Sequence, residues 1–409
     1  MKTLSRRGSR SLYLPVGVAL LLILGAAGRE PVLAQGAGPS FNEPPRQGGG
    51  DGQDSRKPAK KKPDGKRESD EKQDPADAEA LPIDEKAERQ AIKDLGDIGS
   101  AFKVKRTKHF SVLYNTGEEE VGVFSTAIER TYRSCIKFTG KLDIKVKQPK
   151  AKLLIHYFNE LKDYSAHSVK IGAGKRQETE PGFYVPGLNL SYFYNFTNAA
   201  TFKQKREEAE KRIEQLREQL KNAKGAERKR ISKEIKEAQW LITRTKSLGG
   251  DQNEATVQHE VAHQVLWNIG FHNRDALMAN PRWLAEGAAQ LFEPISTGKG
   301  ANFGIVNSKR LKDFRTLAKA HKLVPLRDFL SDPVCFSNPD TAYPQSWALL
   351  HYMTRVKGEQ LKTYVGLIAE RPKDFQPTPK AELATVEKAF GKIDDKWVAA
   401  WLKWMESVR

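Results

Sequence analysis

Residues 256–293, TVQHEVAHQVLWNIGFHNRDALMANPRWLAEGAAQLFE, decide how the chain is read. They contain H-E-x-x-H as His259, Glu260 and His263. Residues four apart share one face of a helix, so both imidazoles can reach one metal ion. Glu260 stands next to the first imidazole, where a carboxylate can meet water at a metal. Val257, Val261, Ala262, Val265, Leu266 and Ile269 spread apolar surface around most of the segment, as a rigid, buried helix requires. These donors at this spacing point to Zn²⁺ as the cofactor.

A second helix is expected around residues 283–289, WLAEGAA, where apolar and small residues allow close approach to the first and present Glu286. A third ligand from a separate helix leaves one zinc position open, as a catalytic site needs. The competing pattern H-E-x-x-H-x-x-G-x-x-H fails, because it wants Gly where Leu266 stands and His where Ile269 stands. His272 and Glu293 remain further ligand candidates.

The segments HEVAHQVL, PRWLAEGAAQLFE and AYPQSWALLHYM together resemble the gluzincin clan of zinc metallopeptidases, in its peptidase-MA-like family. The resemblance runs over roughly residues 102–409 with one interruption. It implies a zincin-like metallopeptidase fold of the α+β class, with His259, His263 and Glu286 as zinc ligands and Glu260 as general base. It also places Tyr343 where many gluzincins carry a tyrosine that steadies the oxyanion. Some members have an acid four residues after the glutamate ligand to orient a zinc-bound histidine. Here that position is Gln290.

The order of elements suits that expectation. Residues 110–114 alternate like a strand, and residues 118–138 have helical spacing. A second strand follows at 151–158, a short helix near 161–169, and a strand pair around Pro186-Gly187 within 183–196. This predicts an N-terminal mixed sheet with helices before the H-E-x-x-H helix. Residues 184–194 are the candidate sheet edge for an extended peptide. The C-terminal part reads as mostly helical, with Trp397, Trp401 and Trp404 on one helix face as core packing.

Residues 201–248 differ in texture. Ala209, Ile213, Leu216, Leu220 and Ala223, then Ile231, Ile235, Ala238 and Ile242, recur at spacings of four and three. They predict an inserted antiparallel helical hairpin joined near Gly225, with arms of roughly 30 Å. It is the candidate surface for an envelope partner or for self-association.

The chain opens with Lys2, Arg6, Arg7 and Arg10, an apolar run over residues 12–27, and Val32-Leu33-Ala34 before a cut at Gln35. These are the three parts of a secretory signal peptide, expected over residues 1–34. Residues 35–80 are rich in Gly, Pro and both charges with almost no large apolar side chain, and are expected to form a disordered linker. The catalytic domain is then expected over residues 81–409. This leaves no membrane span after signal cleavage and places the protein in a periplasmic, envelope or secreted setting. The net charge of +18 comes with no nucleic-acid recognition module, so nucleic acid is not an expected partner. The expected activity is peptide hydrolysis, with a peptide or protein as substrate. The competing reading is a scaffold with little or no catalysis that binds an envelope partner through the hairpin. The remaining histidines, His109, His156, His167, His321 and His351, lack paired spacing and are read as structural or surface groups. Cys135 and Cys335 have no Cys or His neighbour at metal-ligand spacing.

Overall fold

Phe110, Val112 and Tyr114 point to one side of a strand, and Ser111 and Leu113 to the other. In the computed structural model all five are buried, because the sheet they belong to is covered on both faces. The structure describes residues 79–248, 251–295 and 303–409. The leader expected over residues 1–34, and the linker expected over 35–80 except for its last two residues, lie outside the described residues.

The described chain is α+β. Five strands form a mixed sheet: β1 (Lys103–Arg106), β2 (Phe110–Tyr114), β3 (Leu153–Phe158), β4 (Gly182–Val185) and β5 (Leu190–Tyr194). Their spatial order is β1-β2-β3-β5-β4. The inner pairs β2–β3 and β3–β5 are parallel, and the outer pairs β1–β2 and β4–β5 are antiparallel. The parallel pair β2–β3 is joined by α2 (Glu118–Lys141), and α3 (Leu161–Lys170) follows β3. One sheet face, carrying Phe110, Val112, Ile155, Tyr157 and Phe193, packs into the main core with α2 and α6 (Asp251–Asn268). The other face carries Leu113, Phe158, Tyr192 and Tyr194 and is closed by α1 (Glu85–Asp94) and α3.

The edge differs in part from the sequence expectation. Of the expected edge over residues 184–194, the part in β4 does lie at one edge of the sheet, with β1 at the other, whereas β5 lies between β3 and β4. Gly182 is required in β4, since a Cβ there would meet the Phe193 ring at 2.4 Å. The sequence reading also placed no element between residues 81 and 110, where α1 and β1 stand. Both are dominated by charged side chains, which hide the apolar period.

The hairpin is present as α4 (Ala200–Asn222) and α5 (Gly225–Leu248), with Leu216, Ala223 and Ile231 forming a small core of its own. Gly225 at the join has φ +55°, a left-handed conformation that favours glycine. After α6 come α7 (Arg282–Gln290), α8 (Ser308–Lys319), α9 (Leu326–Ser331) and α10 (Pro339–Val356). The chain ends with α11 (Gly358–Ala369), α12 (Pro379–Phe390) and α13 (Asp395–Ser407). Within α10, Trp347, Ala348, Leu349, Leu350 and Met353 are fully buried, so this helix forms the middle of the C-terminal half. Trp401 lies in the core against Phe314, at 5.3 Å between ring centroids. Among the described residues no helix is long and apolar enough to cross a membrane.

Candidate metal centre

The helix α6 is fixed to the sheet by a buried amide. Gln264 donates to the carbonyls of Leu154 and Asn189 at 3.0 and 3.1 Å and accepts from the Ser191 hydroxyl at 2.9 Å. It therefore spans β3 and the start of β5 and holds the preceding residue, His263, in a set position. Val257, Val261, Ala262, Val265 and Leu266 bury the rest of the helix.

His259, His263 and Glu286 converge, with one ligand atom from each lying within 4.8 Å of the others. The two Nε2 atoms are 3.1 Å apart, and Glu286 Oε2 is 3.3 Å from that of His259 and 3.5 Å from that of His263. Donors about 2.0–2.1 Å from a tetrahedral zinc stand about 3.3 Å from one another. The three side chains thus already have the spacing such an ion needs. They are 12%, 14% and 17% exposed, so the cluster is mostly buried with a small part of each side chain open to solvent.

The charges of the cluster reinforce one another. Burial alone would lower the His259 pKa, but hydrogen bonds to Glu286 and Glu293 and the nearby Glu260 raise it to about 10. Burial alone would raise Glu286, yet the attraction of His263 and its bonds to both histidines hold it well below the usual carboxylate range. Glu286 therefore stands ionised beside the two imidazoles.

Glu293 is not among the converging atoms. Its Oε1 lies 3.0 Å from Nδ1 of His259, on the far side of the ring from Glu286. Arg310 holds both of its oxygens, at 2.9 and 3.1 Å, and the Asn307 amide donates to Oε2 at 2.7 Å. The acid behind His259 is therefore Glu293 and not the residue at position 290. Gln290 is fully buried and its amide bonds no other described residue. His272 is also buried apart from the cluster, packed on Trp267 at 5.2 Å between centroids. Sequence alone had marked Glu293 only as a spare ligand, and nothing in the sequence marked Arg310 or Asn307.

Glu260 faces the sheet edge. Its Oε2 accepts from the Tyr184 amide of β4 at 3.1 Å. Burial raises its pKa, and His259 and His263 offset part of that rise. Tyr343, in the first turns of α10, has its ring 6.4 Å from that of His259 and 5.4 Å from the Arg310 guanidinium. Glu286, together with burial, keeps the Tyr343 hydroxyl well above its usual pKa, so it remains a donor at neutral pH.

Gly287 explains how α7 reaches this place. A Cβ there would lie 2.8 Å from the Ser346 carbonyl oxygen and 2.9 Å from Leu350. The close approach that the small residues of α7 were expected to make with α6 is, at this glycine, an approach to α10.

Residues 253–374 match the family described as "Protein of unknown function (DUF1570)". The matched span takes in His259, Glu260, His263, Glu286, Glu293, Arg310 and Tyr343 and leaves out the sheet and the hairpin. No curated protein and no solved structure matches the chain.

Proposed function

We propose that the chain is a zinc-dependent metallopeptidase of the gluzincin type, on a zincin-like fold, that hydrolyses peptide bonds. The observation that carries this reading is the triangle of His259, His263 and Glu286 donors at 3.1–3.5 Å, with the Glu260 carboxylate on the next residue. Zinc held there supplies Lewis-acid charge to a carbonyl oxygen and makes water more acidic.

The remaining steps belong to the chain's own side chains. Glu260, made more basic by burial, takes a proton from the attacking water and returns it to the leaving amine. The Tyr184 amide holds its Oε2, which leaves Oε1 to carry the proton. Tyr343 donates its hydroxyl proton in a hydrogen bond to the oxyanion as it develops. An extended peptide adds to the edge strand β4, whose Tyr184 already touches Glu260, so backbone pairing would bring the scissile bond to the base. With the leader over residues 1–34, this activity belongs outside the cytoplasm.

The first test is the zinc content of the purified protein, wild type beside His263→Ala. One equivalent in the first and none in the second is expected, and a folded wild type without zinc would overturn the reading. Glu260→Gln is expected to keep its zinc and lose turnover by at least about a hundredfold. Full activity in that variant removes Glu260 from the mechanism.

A further inference from the structure

Arg282 is a cation close to this centre that forms no ion pair among the described residues. It is the first residue of α7 and precedes Glu286 by four, so the two share one face of the helix. Its guanidinium lies 4.9 Å from the centroid of the Phe336 ring, and Phe336 in turn lies 6.5 Å from the Tyr343 ring. The Arg282 charge reaches the Tyr343 hydroxyl, where it opposes the larger effect of Glu286.

The other arginine close to Tyr343 is committed elsewhere. Arg310 is bound through two nitrogens to Glu293. Arg282 forms no hydrogen bond or ion pair with another described residue and is only half-buried. A cation at the N-terminal end of a helix also opposes the helix dipole, so its own helix gives it no electrostatic support. The guanidinium packs against the Phe336 ring while its N–H groups bond no described residue, which suits it to a carboxylate that arginine can grip through two parallel bonds.

We infer that Arg282 receives a carboxylate of the peptide substrate, and so selects peptides with an anionic group close to the scissile bond. Glu286 stands four residues after Arg282, a rise of about 6 Å along the helix. An extended peptide advances about 3.4 Å per residue, which places the carboxylate about one to two residues from the reacting carbonyl. A free C-terminus and an Asp or Glu side chain offer the same chemistry there.

This inference rests on the peptidase reading for the word substrate, but its test reads binding rather than turnover. The probes are three pools of N-acetylated random tetrapeptides made without Asp or Glu. The first has a free C-terminus, the second is amidated, and the third is amidated with one Glu added. Each is titrated into the zinc-loaded Glu260→Gln chain by calorimetry. The first pool, the third or both should bind about ten- to a hundredfold more tightly than the second. Which of them does so distinguishes a C-terminal from a side-chain carboxylate. In the Glu260→Gln/Arg282→Gln chain the preference should disappear, and in Glu260→Gln/Arg282→Lys it should shrink, because lysine keeps the charge but loses the paired geometry. Melting curves show that each variant is folded, and the lysine variant carries the test if the glutamine variant does not fold. Equal binding of all three pools, no binding of any, or a preference that survives both substitutions overturns the assignment. A wild type that keeps the preference but cleaves nothing defeats the peptidase reading alone. One that cleaves with no preference defeats the Arg282 assignment alone.

Discussion

Glu293 receives the His259 ring, the Arg310 guanidinium and the Asn307 amide on its two oxygens. Burial alone would raise its pKa, but the bonds from His259 and Arg310 hold it at about 2, so it stays an anion through the whole working range. An anion at Nδ1 fixes the His259 tautomer, turns Nε2 toward Glu286 and makes that nitrogen a better donor to a metal. Glu293→Gln should therefore weaken zinc binding about ten- to a hundredfold, as read by competition with a chelating dye. Gln290→Leu should leave the affinity within about twofold, since Gln290 bonds none of the ligands. The opposite pattern would return the orienting role to position 290. The signal for Glu293 was weak in sequence because it lies beyond the end of α7, in a turn whose direction no helical period predicts.

Elements set the site through two close packings. One is the Gln264 clamp between α6 and the sheet, and the other is the bare face of Gly287 against α10. Gly287→Ala puts a methyl group onto a backbone oxygen that cannot swing aside. Overpacking of this kind costs about 1–3 kcal/mol. The melting temperature should fall accordingly, and zinc affinity should fall with it because α7 carries Glu286. A variant as stable as wild type, with unchanged affinity, would show that α7 and α10 can separate freely. The hairpin of α4 and α5 is a different case, because Leu216, Ala223 and Ile231 give it a core of its own. Replacing residues 201–248 by a short Gly-Ser linker should leave zinc content and peptide cleavage within about threefold. Loss of both would make the hairpin part of the catalytic unit, and loss of an envelope partner alone would make it a docking arm.

Across the whole molecule, the second core behind the sheet holds a pair of histidines. The rings of His156 and His167 lie 5.6 Å apart among Phe102, Phe158 and Tyr192. Neither nitrogen of His156 has a hydrogen-bond partner among the described residues. Burial, with some mutual repulsion, lowers the His156 pKa to about 3, and burial with the nearby Lys170 lowers that of His167 to about 4. Both are neutral in the folded chain and charge readily once unfolded. The unfolded state thus binds more protons below about pH 6.5, and stability falls as pH drops from there through the folded values near 4 and 3. The slope is about 1.4 kcal/mol per pH unit for each histidine over that window. His156→Phe should flatten the decline measured by urea unfolding at pH 7 and pH 4.5. An unchanged slope would place the acid sensitivity elsewhere.

What the sequence determined by itself was whatever depends on local period and donor chemistry. The helix over His259, Glu260 and His263, the helix presenting Glu286, the seam of the hairpin and the apolar length of α10 follow from side chains that recur every three or four residues. The three donors that the structure brings together could be named in advance, because few residue types serve a metal at that spacing. Only the tertiary structure decided that β4 and not β5 forms this edge of the sheet, that Gly287 faces α10, that Glu293 stands behind His259, and that Arg282 pairs with no acid among the described residues. Each of these joins residues by packing between elements, where distance along the chain carries no information about distance in space. The charged helix α1 makes the same point, since its buried Glu88 is explained only by Ser111 and Arg106 on strands that come later in the chain.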